Sequence, residues 1–136
     1  MTDYVHYHFA AHPHVGDWFQ RLLDHVHRVQ GPPQVTWRRT YVTIAAHPTI
    51  RAQRRGRRLV IVLDHRLDRH PLDRDAPVVD PCTLLDPDGL LAGQIRSLAG
   101  IRHQCPGTIE ITVESDPHLQ AAIGAWERSR AAHNGP

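Results

Sequence analysis

Four segments of the chain carry the residue pattern of β-strands. Residues 4–10, 34–46 and 108–115 alternate apolar and polar positions, as half-buried strands do. A change of phase at Arg38-Arg39 predicts a bulge or twist in the second of these segments. Residues 59–63 are aliphatic on both sides of the strand, which is typical of a central position in a sheet.

Three other segments carry apolar residues at helical spacing. The clearest is residues 15–30, where an apolar stripe lies opposite Asp and Arg residues. Asp-Pro pairs, which favour a helix start, precede the other two segments. We expect Asp86 to begin a helix that extends to about His103, and Asp116 to cap a final helix with Trp126 in its buried stripe.

The predicted order of elements is β-α-β-β-α-β-α, with residues 47–58 and 64–81 as polar connections. The first six elements match the ferredoxin-like, or split βαβ, arrangement, in which helices cover one face of a four-stranded antiparallel sheet. We therefore expect an α+β protein of this fold class with an additional C-terminal helix. Residues 1–133 are expected to form a single compact domain, and residues 134–136 a frayed tail.

Composition narrows the class of protein but names no function. The chain has 136 residues, 40% of them apolar, and a net charge of +2 with His neutral, which fits a soluble domain and excludes collagen and disulfide scaffolds. All 16 basic residues are Arg, and Asn134 is the only Asn, a bias that indicates a GC-rich bacterial genome. The same bias does not account equally well for the twelve His residues.

The sequence contains no recognisable targeting or membrane segment. Residues 1–9 lack a basic region and a long apolar region, and no apolar run approaches the roughly 18 residues of a membrane helix. We expect a cytoplasmic protein with no membrane partner. Cys82 and Cys105 form no CxxC motif and are expected to be reduced, although their spacing leaves a disulfide open.

His6 and His8 are the sharpest chemical feature of the chain. On a strand, residues two positions apart point the same way, so both imidazoles could bind one metal. Glu110 or Glu114 on a neighbouring strand would complete a two-His-one-carboxylate set for a divalent transition metal. No cofactor is certain, and the alternative is that both His are half-buried residues of the sheet or of an interface.

The segment His6-Tyr7-His8 resembles the His-hydrophobic-His metal motif that rolling-circle (HUH) nucleases carry on a central strand. The resemblance covers these three residues and implies a metal-dependent nuclease. In that family a catalytic Tyr lies on a helix, whereas Tyr4, Tyr7 and Tyr41 all fall on predicted strands here.

His12 and His14 flank Pro13 just before the first helix. Free backbone amides at a helix start favour an anion, and a protonated His would assist. The predicted ligand-binding set comprises these two residues together with Tyr4, His6 and His8. The alternative is a polar turn without a ligand.

Asp64 and His65 follow the central strand and are the candidate catalytic residues. Strand ends are common places for catalytic groups, and an adjacent Asp and His suit acid–base work or assistance to a metal. Arg residues interleave with the acidic residues that follow, so the alternative is a solvated loop of mixed charge.

Five Arg residues within eight positions form the one strong basic patch, which we call the Arg group: Arg51, Arg54, Arg55, Arg57 and Arg58. An Arg-rich hairpin beside a sheet can hold phosphates, with an affinity that falls as salt rises. The alternative is a solvated loop in an Arg-biased protein.

Three functional hypotheses follow from these features. The first is a small binding or accessory domain that uses an open sheet face for a protein partner, for homodimerisation or for a small ligand. The second is a metal-dependent hydrolase or nuclease centred on His6 and His8. The third is nucleic-acid binding through the Arg group.

Overall fold

The computed structural model describes residues 5, 7–65, 81–98 and 108–133. The described strands are β1 (Val35–Trp37), β2 (Val42–Ile44), β3 (Ile50–Arg55), β4 (Arg58–Asp64), β5 (Ile95–Ser97) and β6 (Thr108–Val113). The described helices are α1 (Pro13–Gln30), α2 (Pro81–Leu85) and α3 (Asp116–His133).

The strands form one open antiparallel sheet in the order β1-β2-β3-β4-β6-β5. Strands β1 to β4 pair in succession, and β4 lies between β3 and β6, so the central position predicted for residues 59–63 is confirmed. The α+β class is also confirmed. The sheet has six strands instead of the predicted four, and the ferredoxin-like arrangement is not confirmed.

The helices pack on one side of the sheet, which we call the inner face. Leu59, Ile61 and Leu63 of β4 point to this side and join the core with Phe19 of α1 and Trp126 of α3. We call the opposite side the outer face. Its central row of cross-strand neighbours is Thr36, Thr43, Arg51, Val62, Glu110 and Arg96.

Polar contacts join the two long helices at the edge of the core. Asp116, in the first turn of α3, accepts hydrogen bonds from the indole Nε1 of Trp18 at 2.9 Å and from Arg21 at 3.0 Å. His25 of α1 lies 2.8 Å from the carboxylate of Glu127 of α3. These contacts fix the position of the α3 start against the middle of α1.

The strand predicted for residues 4–10 is wrong over the residues that the structure describes. Val5, Tyr7 and His8 are helical, and the amide of Phe9 donates to the carbonyl of Val5 at 3.1 Å. Val5 and Phe9 are both buried. Their spacing of four residues satisfies a helical turn as well as the alternation of a strand, and packing against α1 favours the turn.

The long strand predicted for residues 34–46 is a hairpin of β1 and β2. Its turn lies where the pattern changes phase, and the amide of Arg38 donates to the carbonyl of Tyr41 at 2.8 Å. The polar connection predicted for residues 47–58 is wrong as well, because it contains strand β3.

The helix predicted from Asp86 is also wrong. Asp86 follows the end of α2, and its side chain accepts the amide of Leu91 at 2.9 Å in a loop. Gly89 and Gly93 have φ angles of 71° and 79°, which lie outside the helical region, and β5 begins at Ile95.

The final helix is confirmed, with a correction to its cap. Ser115, one residue before Asp116, accepts the amide of His118 at 3.3 Å, while His118 Nδ1 accepts the amide of Glu114 at 3.2 Å. Leu119, with the rest of the predicted stripe, is buried.

Among the described residues, no helix has the length and apolar character that a membrane crossing requires. Cys105 and residues 134–136 lie outside the described part of the chain, as does most of the loop predicted for residues 64–81. The redox state of the two Cys and the frayed tail stay predictions.

Candidate functional site

The Arg group lies on the β3–β4 hairpin. Among the described strands that are consecutive in sequence and paired with each other, β3 and β4 have the longest pairing. Gly56 and Arg57 form its two-residue turn, and Gly56 has a φ angle of 61°, a value that a glycine adopts without the steric cost of a side chain. The turn sets Arg55 directly opposite Arg58 in the last cross-strand pair. The hairpin therefore concentrates four members of the Arg group, Arg54, Arg55, Arg57 and Arg58, at its tip, whereas Arg51 lies in the central row of the outer face.

On the outer face, three Arg residues of the hairpin have different surroundings. The guanidinium of Arg51 lies 4.7 Å from the ring centroid of Tyr41, a cation–π distance. Arg58 pairs with the carboxylate of Glu114 at 2.9 Å. Arg55 is exposed and pairs with no carboxylate of the described residues.

On the inner face, the hairpin tip meets the start of α1. Arg54 donates to the carbonyl of Gly56 at 3.0 Å, which holds its side chain along the turn. The Nε2 atom of His14 lies 3.2 Å from the carbonyl oxygen of Arg57. A carbonyl oxygen only accepts, so Nε2 is the donor of this hydrogen bond.

Three His residues line this inner side of the tip. The His12 and His14 rings lie 5.9 Å apart between centroids, and the His14 ring meets the edge of Trp18 at 5.1 Å. The His8 ring packs against Trp37 at 5.4 Å. We call these three His, with Arg54 and Arg57, the inner basic cluster.

Cationic neighbours act on the His residues of the inner basic cluster. Partial burial, with the charge of Arg54, lowers the pKa of His8 below its ordinary value of 6.5. Partial burial also lowers the pKa of His12, and Arg54, His14 and Arg57 add to that effect. Burial is the larger cause for both His, and the positive charge of Arg54 acts in the same direction. A bound anion would oppose this second, electrostatic effect.

A groove lies beside the inner basic cluster, between the N-terminal turn and α1. It is lined by Val5, Phe9, Ala10, Pro13, Gly16, Asp17 and Gln20. Most of these side chains are apolar, and Asp17 is the first acidic residue along α1. A mostly apolar groove therefore lies next to the inner basic cluster.

The structure unites two sets of residues that the sequence analysis treated separately. Arg54 and Arg57 of the Arg group and the predicted ligands His8, His12 and His14 lie together at the hairpin tip. The remaining predicted ligands, Tyr4 and His6, lie outside the described residues. Sequence reasoning missed the link between His14 and the hairpin turn, because the contact spans 43 residues.

The predicted metal set is not brought together by the described residues. His8 packs on Trp37, whose strand partner Val42 faces the core, whereas Glu110 lies on the outer face. Glu110 is 7% exposed, and its carboxylate pairs with Arg96 at 2.9 Å. Across the described ranges, no group of three or more His, Cys, Asp or Glu is placed to hold a metal ion.

The resemblance to the HUH motif rests on a predicted strand, whereas the described residues of this segment form a helical turn. Tyr7 and His8 are helical, and Tyr7 is 80% exposed. His6, the first ligand of that motif, lies outside the described residues.

Asp64 and His65 point to opposite sides of β4. Asp64 pairs with Thr108 and belongs to the outer face. His65 is 3% exposed, and its Nδ1 is hydrogen-bonded to the hydroxyl of Ser129 in the buried contact between the end of β4 and α3. Alternation along the strand therefore separates the two members of the predicted acid–base pair.

Comparisons with protein-family models, with curated proteins and with solved structures give no match. The functional argument for this chain therefore comes from the geometry and charge of the site.

Proposed function

We propose that the protein is a nucleic-acid-binding module that holds the phosphate backbone with its β3–β4 hairpin. The observation that carries this proposal is the display of guanidinium groups on both faces of the hairpin and at its tip. Within the described part of the chain, only Arg58 of the Arg group has a carboxylate partner.

The pairing of Arg55 with Arg58 supports an anionic ligand. Like charges directly opposite each other on neighbouring strands are destabilising. Glu114 offsets the charge of Arg58, but no carboxylate of the described residues offsets the charge of Arg55, which is exposed to solvent and to any bound anion. A phosphate placed between the strand ends would relieve this repulsion.

The chemistry of the Arg group favours phosphate contacts over base recognition. A guanidinium presents its N–H donors in a planar fork that matches two phosphate oxygens. The ring of Tyr41 is stacked under Arg51. We therefore expect binding that depends weakly on sequence and strongly on salt.

The hypothesis of an apolar docking face has less support. Val60 and Val62 are the aliphatic residues of β4 on the outer face, but Val60 is 3% exposed and Val62 is half-buried. The surrounding positions carry Arg51, Glu110 and Arg96. The class of function remains that of a binding module, and the proposed partner is a polyanion.

Fluorescence anisotropy with a labelled oligonucleotide of 20 nucleotides, in single-stranded and double-stranded form, tests the proposal. We expect binding at 50 mM salt that weakens steadily toward 200 mM. For single strands, the double variant Arg55→Gln/Arg57→Gln loses two phosphate contacts, so its slope of log affinity against log salt should be shallower by about 1.4.

The matched control is Arg28→Gln/Arg130→Gln, which removes the same charge from the surfaces of α1 and α3. Arg28 lies about 21 Å along α1 from His14. The control should keep the wild-type slope. Absence of binding at 50 mM salt, or equal losses in both double variants, would contradict the proposal.

A further inference from the structure

The inner side of the hairpin tip differs from the rest of the basic surface because it carries His as well as Arg side chains. The imidazoles of His12 and His14, at the start of α1, lie 5.9 Å apart between ring centroids, and the Arg54 side chain runs along the hairpin turn. The hydrogen bond from His14 to the Arg57 carbonyl ties the two elements together. Donors from separate parts of the sequence therefore converge on one small region.

The charges that face His12 come from each element beside it. Arg54 acts from β3, Arg57 from the hairpin turn and His14 from α1, and all three disfavour the protonated form of His12. His8, on the N-terminal turn, is subject to Arg54 in the same way. On α1 itself the first carboxylate is that of Asp17, beyond the first turn.

An anion bound between these groups would change the balance between the neutral and the protonated form of His12. Its charge would cancel the repulsion from Arg54 and Arg57, so the protonated form of His12 would become more favourable. Protonated imidazole has an N–H at both nitrogens and would add a charge-assisted hydrogen bond to a phosphate oxygen. Binding of the anion and uptake of a proton would then strengthen each other.

We propose that His12, His14, Arg54 and Arg57 form a phosphoryl-binding subsite that takes up a proton on His12 when it is occupied. This inference rests on the proposed nucleic-acid binding and assigns to it a specific subsite and a pH dependence. Affinity should increase as the pH falls through the titration range of His12. The rest of the Arg group carries no proton that is exchanged in this range.

The first test is the affinity of the full chain for the single-stranded oligonucleotide between pH 8.0 and pH 5.5 at constant salt. Uptake of one proton raises affinity by at most tenfold for each pH unit, so we expect wild-type binding to be several-fold tighter at pH 5.5 than at pH 8.0. His12→Gln should reduce this dependence while it keeps the salt dependence, and the remaining part should come from His8, on which Arg54 also acts. His27→Gln, an exposed residue late in α1, is the control and should keep the wild-type pH profile.

The second test needs no variant. The ring-proton NMR signal of His12 reports its pKa in the free chain and with the oligonucleotide bound. We expect the oligonucleotide to raise the pKa of His12, whereas sodium chloride at matched ionic strength should not raise it equally. Inorganic phosphate is the second probe. If phosphate raises the pKa as well, an isolated phosphoryl group is sufficient, and if only the oligonucleotide does, the phosphodiester backbone is the occupant.

Two results would overturn the inference. One is an affinity that does not change between pH 8.0 and pH 5.5 while the salt dependence persists, which would leave nucleic-acid binding in place without the proton-coupled subsite. The other is an equal rise of the His12 pKa in sodium chloride, which would reduce the effect to screening. Loss of all oligonucleotide binding would instead contradict the proposed function itself.

Discussion

The five Arg residues of the Arg group differ in which neighbouring group offsets their charge. Arg58 has Glu114 at 2.9 Å, and Arg51 has the ring of Tyr41. Arg55 and Arg57 are exposed and pair with no carboxylate of the described residues. The sequence could predict the patch but not this difference, because each partner is set by a strand pairing or a turn.

The histidines also show that the sequence predicts which residues are present but not which residues lie next to them in space. Spacing of two positions grouped His6 with His8 on the expectation of a strand. The helical turn at Tyr7 and His8 removes that geometry for the described residues. Pro13 and the helix start were enough to predict an anion site beside His12 and His14. They could not predict that Arg54 and Arg57 of the hairpin lie beside that site.

Asp116 gives a prediction about stability and pH. The hydrogen bond from Trp18, then the contact with Arg21, lowers the pKa of the Asp116 carboxyl below its ordinary value of 3.8. Because the folded pKa is the lower one, the stabilisation is complete above the unfolded pKa and is lost as the pH falls through the folded value. Asp116→Asn should therefore lower the melting temperature at pH 7, and the difference from wild type should disappear in strong acid.

The control for this prediction is Asp24→Asn. Asp24 accepts a hydrogen bond from Gln20 one turn earlier on the same helix and joins no second element through it. Its melting temperature should stay near that of wild type across the same pH range. A difference for Asp116→Asn that persists unchanged in acid would show that the charge of the carboxylate is not what matters.

At the scale of elements, periodicity predicted the segments that are long and bury a continuous stripe. Helix α1, helix α3 and strands β4 and β6 all lie within a few residues of their predicted bounds. Each packs a full apolar side into the same core, so the pattern and the tertiary environment agree.

The errors fall on short segments with few apolar residues. Strand β3 has Ile50 and Ala52 on its inner face and otherwise polar residues, so the alternation is present but weak. The helix predicted from Asp86 ignored Gly89 and Gly93, whose positive φ angles interrupt that segment. In both cases the secondary structure is determined by a turn or by strand pairing and not by a stripe of apolar residues.

The β3–β4 turn gives a prediction at this scale. Gly56→Ala places a side chain at a φ angle of 61°, which costs on the order of 1–2 kcal/mol. We expect the free energy of unfolding in urea to fall by about that amount. Oligonucleotide affinity should fall as well, because the turn sets the positions of Arg55 and Arg57.

Gly124→Ala, inside helix α3, is the control. An added methyl group there lies 3.2 Å from Nη1 of the exposed Arg128 side chain, which can shift by a few tenths of an ångström and keep its hydrogen bond to the Leu85 carbonyl, and Ala is the better helix former. Its stability should be unchanged or higher. An unfolding free energy for Gly56→Ala equal to that of wild type would contradict the role assigned to the turn.

At the scale of the whole molecule, charge is distributed unevenly. The net charge is only +2 with His neutral, yet four of the five residues of the Arg group lie with the inner basic cluster at the tip of the β3–β4 hairpin. Elsewhere acidic residues offset the Arg residues, as in the pairs of Arg96 with Glu110 and of Arg21 with Asp116. A local patch can bind a polyanion even though the overall charge is close to balanced.

A titration of the isotope-labelled full chain with a single-stranded oligonucleotide, followed by two-dimensional amide NMR at low salt, tests the central claim most directly. The account predicts that the largest signal changes fall on residues 54–58 and on His12 and His14, and that added salt reverses them. The second half of α1 and the exposed side of α3 should change little. No signal change at saturating oligonucleotide, or changes centred away from the β3–β4 hairpin, would contradict the account.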